Sequence, residues 1–196
     1  VGQYEYDVSN NVTKITNIGD DLSLSTSYSY DKENKPTQTK VGSINYNYTY
    51  DGLDRLTKTT VTAVDNPFDI TYTYYASARS NDTETYKTTQ IKNENFGYVS
   101  NGTADSRGYR YAYDRNGNIT SISERSSTGS SYSTKLKYYY DYLGQLVRED
   151  NKYLNKTITY TYDNGGNIKK REIYSYTTGD LSAATAQQTI NYGYDS

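Results

Sequence analysis

The sequence predicts an all-β chain, built of antiparallel β-hairpin repeats laid side by side in a long, coiling β-sheet. Three observations carry that prediction. Tyr-x-Tyr-Asp recurs seven times, ending at Asp7, Asp31, Asp51, Asp114, Asp141, Asp163 and Asp195. Three residues after the Asp stand Asn10, Asn34, Asp54, Gly117, Gly144 and Gly166, all of types that enter the left-handed backbone region most readily. Two residues further on come Val12, Leu56, Ile119, Leu146 and Ile168, with Pro36 the exception.

The central copy shows the logic. Tyr109, Tyr111 and Tyr113 alternate with Arg110 and Ala112, so a strand places the three rings on one face. Asp114-Arg115-Asn116-Gly117 has Asp first and Gly fourth, as a type I turn prefers, and a left-handed residue after such a turn closes a hairpin. Asn118 to Ile122 is then the returning strand. The same reading pairs Tyr4 and Tyr6, Tyr28 and Tyr30, Tyr48 and Tyr50, Tyr111 and Tyr113, Tyr138 and Tyr140, and Tyr160 and Tyr162 as a repeating aromatic face.

In chain order, Tyr4 to Ile15 is the first hairpin and Ile18 to Asp21 its return turn. Leu22 to Tyr30 alternates large residues with serine and threonine, which predicts one packed and one wet face. Pro36 donates no ladder bond, so the strand it opens is expected to be short, bulged or at an edge. Gly42 reverses the chain into Ile44 to Tyr50, Leu56 to Val64 returns, and Asp65-Asn66-Pro67 turns. A repeat opens at Ile70 to Tyr74 but breaks down, because Tyr75 stands in the Asp position and Ala78 in the left-handed one. An irregular insertion is expected over about 75–108, with loops at 79–85 and 93–95, a strand at 88–92, and a decayed hairpin at 96–102 turning at 100–103. Regular repeats resume with Tyr109. Ser126 to Ser131 is a loop, Leu136 to Tyr153 a hairpin, and Leu154 to Lys156 a reversal. Ile158 to Tyr176 is the next hairpin, Thr178 to Asp180 reverses, and Ala183 to Gln188 is a loop or single turn. Ile190 to Tyr194 starts another repeat. The whole of 1–196 reads as one array of about seven units and fourteen to eighteen strands, each touching mainly its neighbours.

Tyr111 to Ile119, Tyr138 to Leu146 and Tyr160 to Ile168 resemble YD repeats, the motif of the Rhs/YD-repeat family, and the resemblance covers nearly the whole chain. That family includes bacterial Rhs and wall-associated toxins, the shell-forming subunits of insecticidal Tc toxins, and teneurins. The resemblance implies a sheet that spirals into a hollow β-shell around a C-terminal toxin segment, with this chain a fragment of a larger one. The Asp-Pro signature of the self-cleaving core domain found in some members does not occur here.

Composition fits a thin sheet. Val, Ile, Leu and Phe make only about 15% of residues, while 27 tyrosines supply apolar area with a hydroxyl that can stay wet. A net charge of −2, from 21 basic and 23 acidic residues, offers no polycation for nucleic acid. No apolar run is long enough to span a membrane as a helix. With no His and no Cys, the usual general base and the strongest nucleophile are missing, so no catalytic residue, cofactor or metal ligand is assigned and the chain reads as a non-enzyme. Glu149-Asp150 is placed on an exposed strand stretch and Asp20-Asp21 in a turn. Each repeat Asp is explained by its own turn rather than by a metal. The Asn-x-Ser/Thr triplets at Asn11, Asn47, Asn81, Asn101, Asn118 and Asn155 follow from composition.

Two functions follow. In the first, the chain is a structural segment of a secreted or surface protein whose shell encloses the C-terminal toxin or effector of the same parent chain. The second is a carbohydrate- or cell-wall-binding repeat module that uses the aromatic face or the loops at 79–95. Unpaired edge strands also predict edge-to-edge self-association.

Overall fold

The computed structural model describes residues 2–18, 23–62, 67–75, 79–80, 85–86, 90–98, 106–125 and 131–194. The expected turns at 19–21, 65–66 and 100–103, the loop at 126–130, and Ala78 lie outside them. The described residues are all-β and contain no helix. The strands are β1 (Gly2–Tyr6), β2 (Val12–Ile18), β3 (Ser23–Tyr30), β4 (Pro36–Val41), β5 (Ile44–Tyr50), β6 (Leu56–Thr62), β7 (Phe68–Tyr74), β8 (Arg79–Ser80), β9 (Thr85–Tyr86), β10 (Ile91–Tyr98), β11 (Ser106–Tyr113), β12 (Ile119–Arg125), β13 (Tyr132–Tyr140), β14 (Leu146–Asn151), β15 (Lys156–Tyr162), β16 (Ile168–Ser175) and β17 (Gln188–Asn191).

The chain divides into two compact units: Val1–Thr73 with Asn93–Gly108, and Tyr74–Lys92 with Tyr109–Ser196. In the first, β1 to β7 follow one another as hydrogen-bonded neighbours and β10 comes after β7. In the second, β11 to β17 do the same, while β8 and β9 form a separate two-residue ladder, Arg79↔Tyr86 and Ser80↔Thr85.

The hairpins share one register. Tyr139 pairs with Arg148 and Tyr140 with Leu146, so Val147 is left over as a bulge. The same slip occurs before Tyr6, Tyr30, Tyr50 and Tyr162. A bulge next to a tight turn increases local twist and re-aims the side chains beside it. Pro36 sits at this slip as the first residue of β4, opposite Tyr30. The strand is bulged there, as expected, yet keeps six residues inside the sheet.

Burial departs from the expected packed and wet faces. In β3, Leu24 is 45% exposed whereas Ser25 and Ser27 are half-buried, although Tyr28 and Tyr30 are half-buried and Ser29 is exposed as expected. The deepest burial lies in the second unit. Ile158 is its buried apolar residue, and Asp150 and Thr157 are fully buried. Asp150 thus corrects the expectation of an exposed stretch at 149–150. Asp150 and Thr157 are cross-strand partners, one row away from Glu149 and Ile158, which share a face with Tyr138. They are buried because the segment between β16 and β17 covers the face opposite that tyrosine. The Thr177 carbonyl accepts from Thr157 Oγ1 (2.8 Å) and from Arg148 (2.9 Å), and the Thr177 N–H donates to Thr157 Oγ1 (3.0 Å). Beneath it, Arg148 Nε donates to Asp150 Oδ1 at 2.7 Å. Within this segment the Ala184 N–H donates to the Leu181 carbonyl at 2.9 Å, so the turn begins two residues before the expected 183–188, and Gln188, expected in it, is the first residue of β17.

The expected loop at 93–95 is strand. β10 runs unbroken from Ile91 to Tyr98, with Asn93 Nδ2 donating to Thr73 Oγ1 at 3.0 Å. Its polar residues sit in a ladder whose neighbours meet their hydrogen-bonding needs, which composition alone does not reveal. The segment expected as a loop at 79–85 instead holds β8 and the start of β9 in its described part, while the strand expected at 88–92 is met by Ile91 and Lys92, which open β10.

Candidate functional site

The repeating turn is the built feature of this chain. At every complete copy the fourth turn residue has positive φ: Asn10 65°, Asn34 63°, Asp54 62°, Gly117 93°, Gly144 79° and Gly166 84°. Its N–H donates to the Asp carbonyl, as Gly166 does to Asp163 at 3.1 Å, and the Asp N–H donates to the carbonyl four residues on. The Asp side chain completes the cradle. Oδ1 of Asp163 accepts from the Gly165 and Asn167 N–H groups at 2.9 Å each, and Oδ2 accepts from Asn167 Nδ2 at 3.0 Å. Asp7 and Asp114 repeat all three bonds with Asn11 and Asn118, and Asp51 uses Arg55 as the third donor. Asp31 and Asp141 make the two main-chain bonds.

These donors favour the ionised carboxylate. Asp7 and Asp163 are held below the ordinary carboxylate range chiefly by the amides of Asn11 and Asn167. Asp51 is lowered chiefly by Arg55, and Asp31 by the Lys35 N–H. Both carboxylate oxygens take donors from the turn in Asp7, Asp51, Asp114 and Asp163 and one does in Asp31 and Asp141, so the row of Asp residues is a set of turn clamps.

Successive turns also touch. Asn11 Nδ2 donates to Asn34 Oδ1 at 2.8 Å, and Lys35 bonds Asp54, in each case from the fifth turn residue of one copy to the left-handed residue of the next. In the second unit the left-handed residue is glycine. A Cβ built on Gly117, Gly144 or Gly166 would lie 3.5, 4.0 or 3.3 Å from the amide nitrogen of Gln90, Asn118 or Gln145.

A second contact joins each hairpin to the one before. The second tyrosine of the motif donates its hydroxyl to the carbonyl of the first residue of the preceding return strand. The bonds are Tyr30 to Val12 and Tyr50 to Pro36 (both 2.8 Å), Tyr113 to Ile91, Tyr140 to Ile119 and Tyr194 to Ile168 (each 2.9 Å), and Tyr162 to Leu146 (2.7 Å). Tyr28, Tyr48, Tyr111, Tyr138 and Tyr160 stand two residues earlier and are half-buried, whereas Tyr4 and Tyr6 in β1 are 57% and 56% exposed.

Gln90 and Ile91 are residues that sequence reasoning missed. Gln90 lies against Gly117 as Gln145 does against Gly166, and the Ile91 carbonyl takes the Tyr113 hydroxyl as Ile119 takes that of Tyr140. The fourth repeat therefore does not end at Tyr75: the pattern resumes at Gln90-Ile91. The signal was a polar-then-apolar pair matching Asn118-Ile119 and Gln145-Leu146. Tyr75, in the Asp position, donates its hydroxyl to the Tyr111 carbonyl at 3.0 Å and meets Tyr113 edge to face at 6.5 Å.

No family model matches the chain. It is 30% identical over 167 residues to the tRNA3(Ser)-specific nuclease WapA of Bacillus spizizenii, a match covering 82% of this chain and 6% of that protein. Among solved structures it is similar to the crystal structure of TcdB2-TccC3-Cdc42, with 16% identity and a TM-score of 0.52, over 95% of this chain and 11% of that one. The Photorhabdus luminescens Tc holotoxin pore aligns over 99% of this chain and 12% of that chain at 13% identity, but its TM-score of 0.44 is too low to support a fold assignment. The chain thus shares its all-β fold with the TcdB2-TccC3 complex and spans only a small part of each relative it resembles.

Proposed function

We propose that the chain is a non-catalytic wall segment of an Rhs/YD-repeat shell, part of a secreted or surface-displayed parent protein whose sheet encloses a C-terminal toxin or effector. The observation that carries this reading is the pair of inter-repeat contacts, tyrosine to carbonyl and turn to turn. The tyrosine contact uses only a hydroxyl and a main-chain carbonyl, and the turn-to-turn contact is a side-chain bond in the first unit and a close approach to glycine in the second, so the array can be lengthened without new chemistry. The likeness to TcdB2-TccC3-Cdc42 and to WapA supports the same reading. The turn clamps and tyrosine contacts are structural in it: the motif residues hold repeats together, and none faces a reacting group.

The test is electron microscopy of the parent chain, combined with limited proteolysis of its C-terminal segment. A closed hollow particle with a protected C-terminus is the expected result. An open sheet whose C-terminal segment is cleaved as fast as an isolated peptide would overturn encapsulation.

A further inference from the structure

The turn between β15 and β16 carries a reactive pair that the other motif turns lack at the same place. The two residues after the motif Asp are Val8-Ser9, Lys32-Glu33, Gly52-Leu53, Arg115-Asn116, Tyr142-Leu143 and Asn164-Gly165. In every copy the N–H of the second donates to Asp Oδ1 at 2.9 Å. Only at 164–165 does that N–H follow an asparagine. Asn-Gly is the dipeptide most prone to cyclise, because glycine puts no Cβ in the path of attack. The Gly165 nitrogen forms a bond to Asn164 Cγ, the Cγ–Nδ2 bond breaks, and ammonia leaves. Water then opens the five-membered imide at either carbonyl and leaves aspartate or isoaspartate, so one water is consumed for each ammonia released.

Asn164 and Gly165 are exposed, so burial keeps neither from water nor base. The clamp does the protecting. Before it can attack, the Gly165 nitrogen must give up its proton, and Asp163 Oδ1 holds that proton. Hydrogen bonds, first from the Asn167 amide, keep Asp163 ionised at neutral pH, and an anionic nitrogen 2.9 Å from a carboxylate is disfavoured by like charge. Asn116-Gly117 lies one place later in its own turn, where the Gly117 N–H donates to the neutral Asp114 carbonyl at 3.2 Å. It offers the same chemistry without the carboxylate. Isoaspartate would add one main-chain carbon between residues 164 and 165, inside the ring that the Gly166 N–H closes on the Asp163 carbonyl at 3.1 Å. A turn modified in this way loses its set of bonds for good.

We propose that Asn164 is a deamidation site gated by the Asp163 carboxylate: silent while the clamp is closed, and converted to aspartate or isoaspartate when the turn between β15 and β16 opens. The product is a permanent record of that opening. This goes beyond the shell reading and does not depend on it, because the chemistry needs only this one hairpin.

The test is incubation of the intact 196-residue chain at mildly alkaline pH, with and without urea, followed by tryptic digestion and mass spectrometry, which places Asn116 and Asn164 in separate peptides. In urea both turns are open, and the two sites should react at similar rates. In the folded chain Asn164 should react about tenfold or more slower than in urea, the factor set by one hydrogen bond to a charged group. Asp163→Ala should restore most of that lost rate and leave Asn116 unchanged. Asp163→Asn, which keeps a neutral acceptor, should accelerate Asn164 by about two- to fivefold. Circular dichroism confirms that each variant is folded, and Asp163→Asn decides the matter if Asp163→Ala is not. The proposal is overturned if Asn164 reacts as fast in the folded chain as in urea, or if neither Asp163 variant accelerates it. It is overturned too if Asn116 accelerates as much as Asn164, which would trace the effect to unfolding of the whole chain.

Discussion

The two units meet the same backbone demand with different residues. In the first, the left-handed turn positions hold Asn10, Asn34 and Asp54, and the side chains of Asn34 and Asp54 take bonds from the turn before. In the second they hold Gly117, Gly144 and Gly166, and the preceding amide lies over a bare backbone. At these motif turns the first unit accepts strain at φ near 60° and gains a cross-turn bond from Asn34 and Asp54, while the second avoids the strain and leaves that position without a side chain. Burial separates them further. Among described residues the first unit buries only Thr59 and Gly108, whereas the second buries Asp150, Asn151, Thr157 and Ile158 beside its covering segment. The repeat motif therefore specifies turns and register, and the core comes from what is added to it.

The largest expected effect tests that core. Asp150→Ala leaves Arg148 without its carboxylate beneath the Thr177 cover, and breaking a buried pair on one side costs about 3–5 kcal/mol. Urea unfolding should shift by that amount, and amide exchange should accelerate in β14 to β16 but not in β2 to β6. A loss under about 1 kcal/mol would mean that the cover contributes little.

Next comes the turn itself. Gly166→Val forces a β-branched residue to φ 84° with its Cβ 3.3 Å from Gln145 Nε2, at a cost of about 2–3 kcal/mol. Gly166→Asn, which copies the first unit, should cost less than half as much. Equal losses for the two would show that the glycine is needed for space rather than for conformation.

The tyrosine contacts give a smaller effect with an internal control. Tyr140→Phe should cost about 1 kcal/mol, since the Ile119 carbonyl loses its donor. Tyr6→Phe should cost nothing measurable, because the Tyr6 hydroxyl holds no such bond. Burial raises the phenols of Tyr50, Tyr113, Tyr140 and Tyr162 above their ordinary value, so the neutral form is the one the fold favours. Their contribution is complete below the unfolded tyrosine value of about 10 and is lost as pH rises through the folded ones. The turn carboxylates have the opposite sign: Asp7, Asp31, Asp51 and Asp163 contribute fully above about pH 4, and that is lost as pH falls through their lowered values. Thermal melts should therefore hold level through neutrality and fall at both ends, the alkaline fall shrinking in Tyr140→Phe.

These positions also mark how far the sequence could be read. The turns were legible because left-handed backbone admits few residue types, and all six predicted positions have positive φ. The hairpins followed from the fixed spacing of Asp, turn residue and apolar residue, but the bulge beside each turn, which sets the register, did not. The tyrosine-to-carbonyl bonds were not legible, since side-chain alternation places a ring on a face but does not say which neighbour its hydroxyl reaches. The continuation of the fourth repeat at Gln90-Ile91 was hidden by an insertion that broke the spacing. Asp150 was misplaced because a strand pattern carries no record of a segment folding over it from 26 residues or so further along the chain.

The smallest effect is the most discriminating for the comparison between units. At Asn10, replacement by glycine removes a Cβ from a left-handed backbone but frees the unfolded chain, and each term is about 0.5–1 kcal/mol, so they should cancel to within about 0.5 kcal/mol. Asn34→Gly undergoes the same exchange and also loses the 2.8 Å bond from Asn11, so it should be the less stable of the two by about 1 kcal/mol. If the bond is the cause, Asn11→Ala should erase the difference, because neither variant then has a donor to lose. If Asn34→Gly still differs from Asn10→Gly in that background, the left-handed asparagines are retained for the backbone alone, and the first unit's turns are a costlier version of the glycine turns of the second.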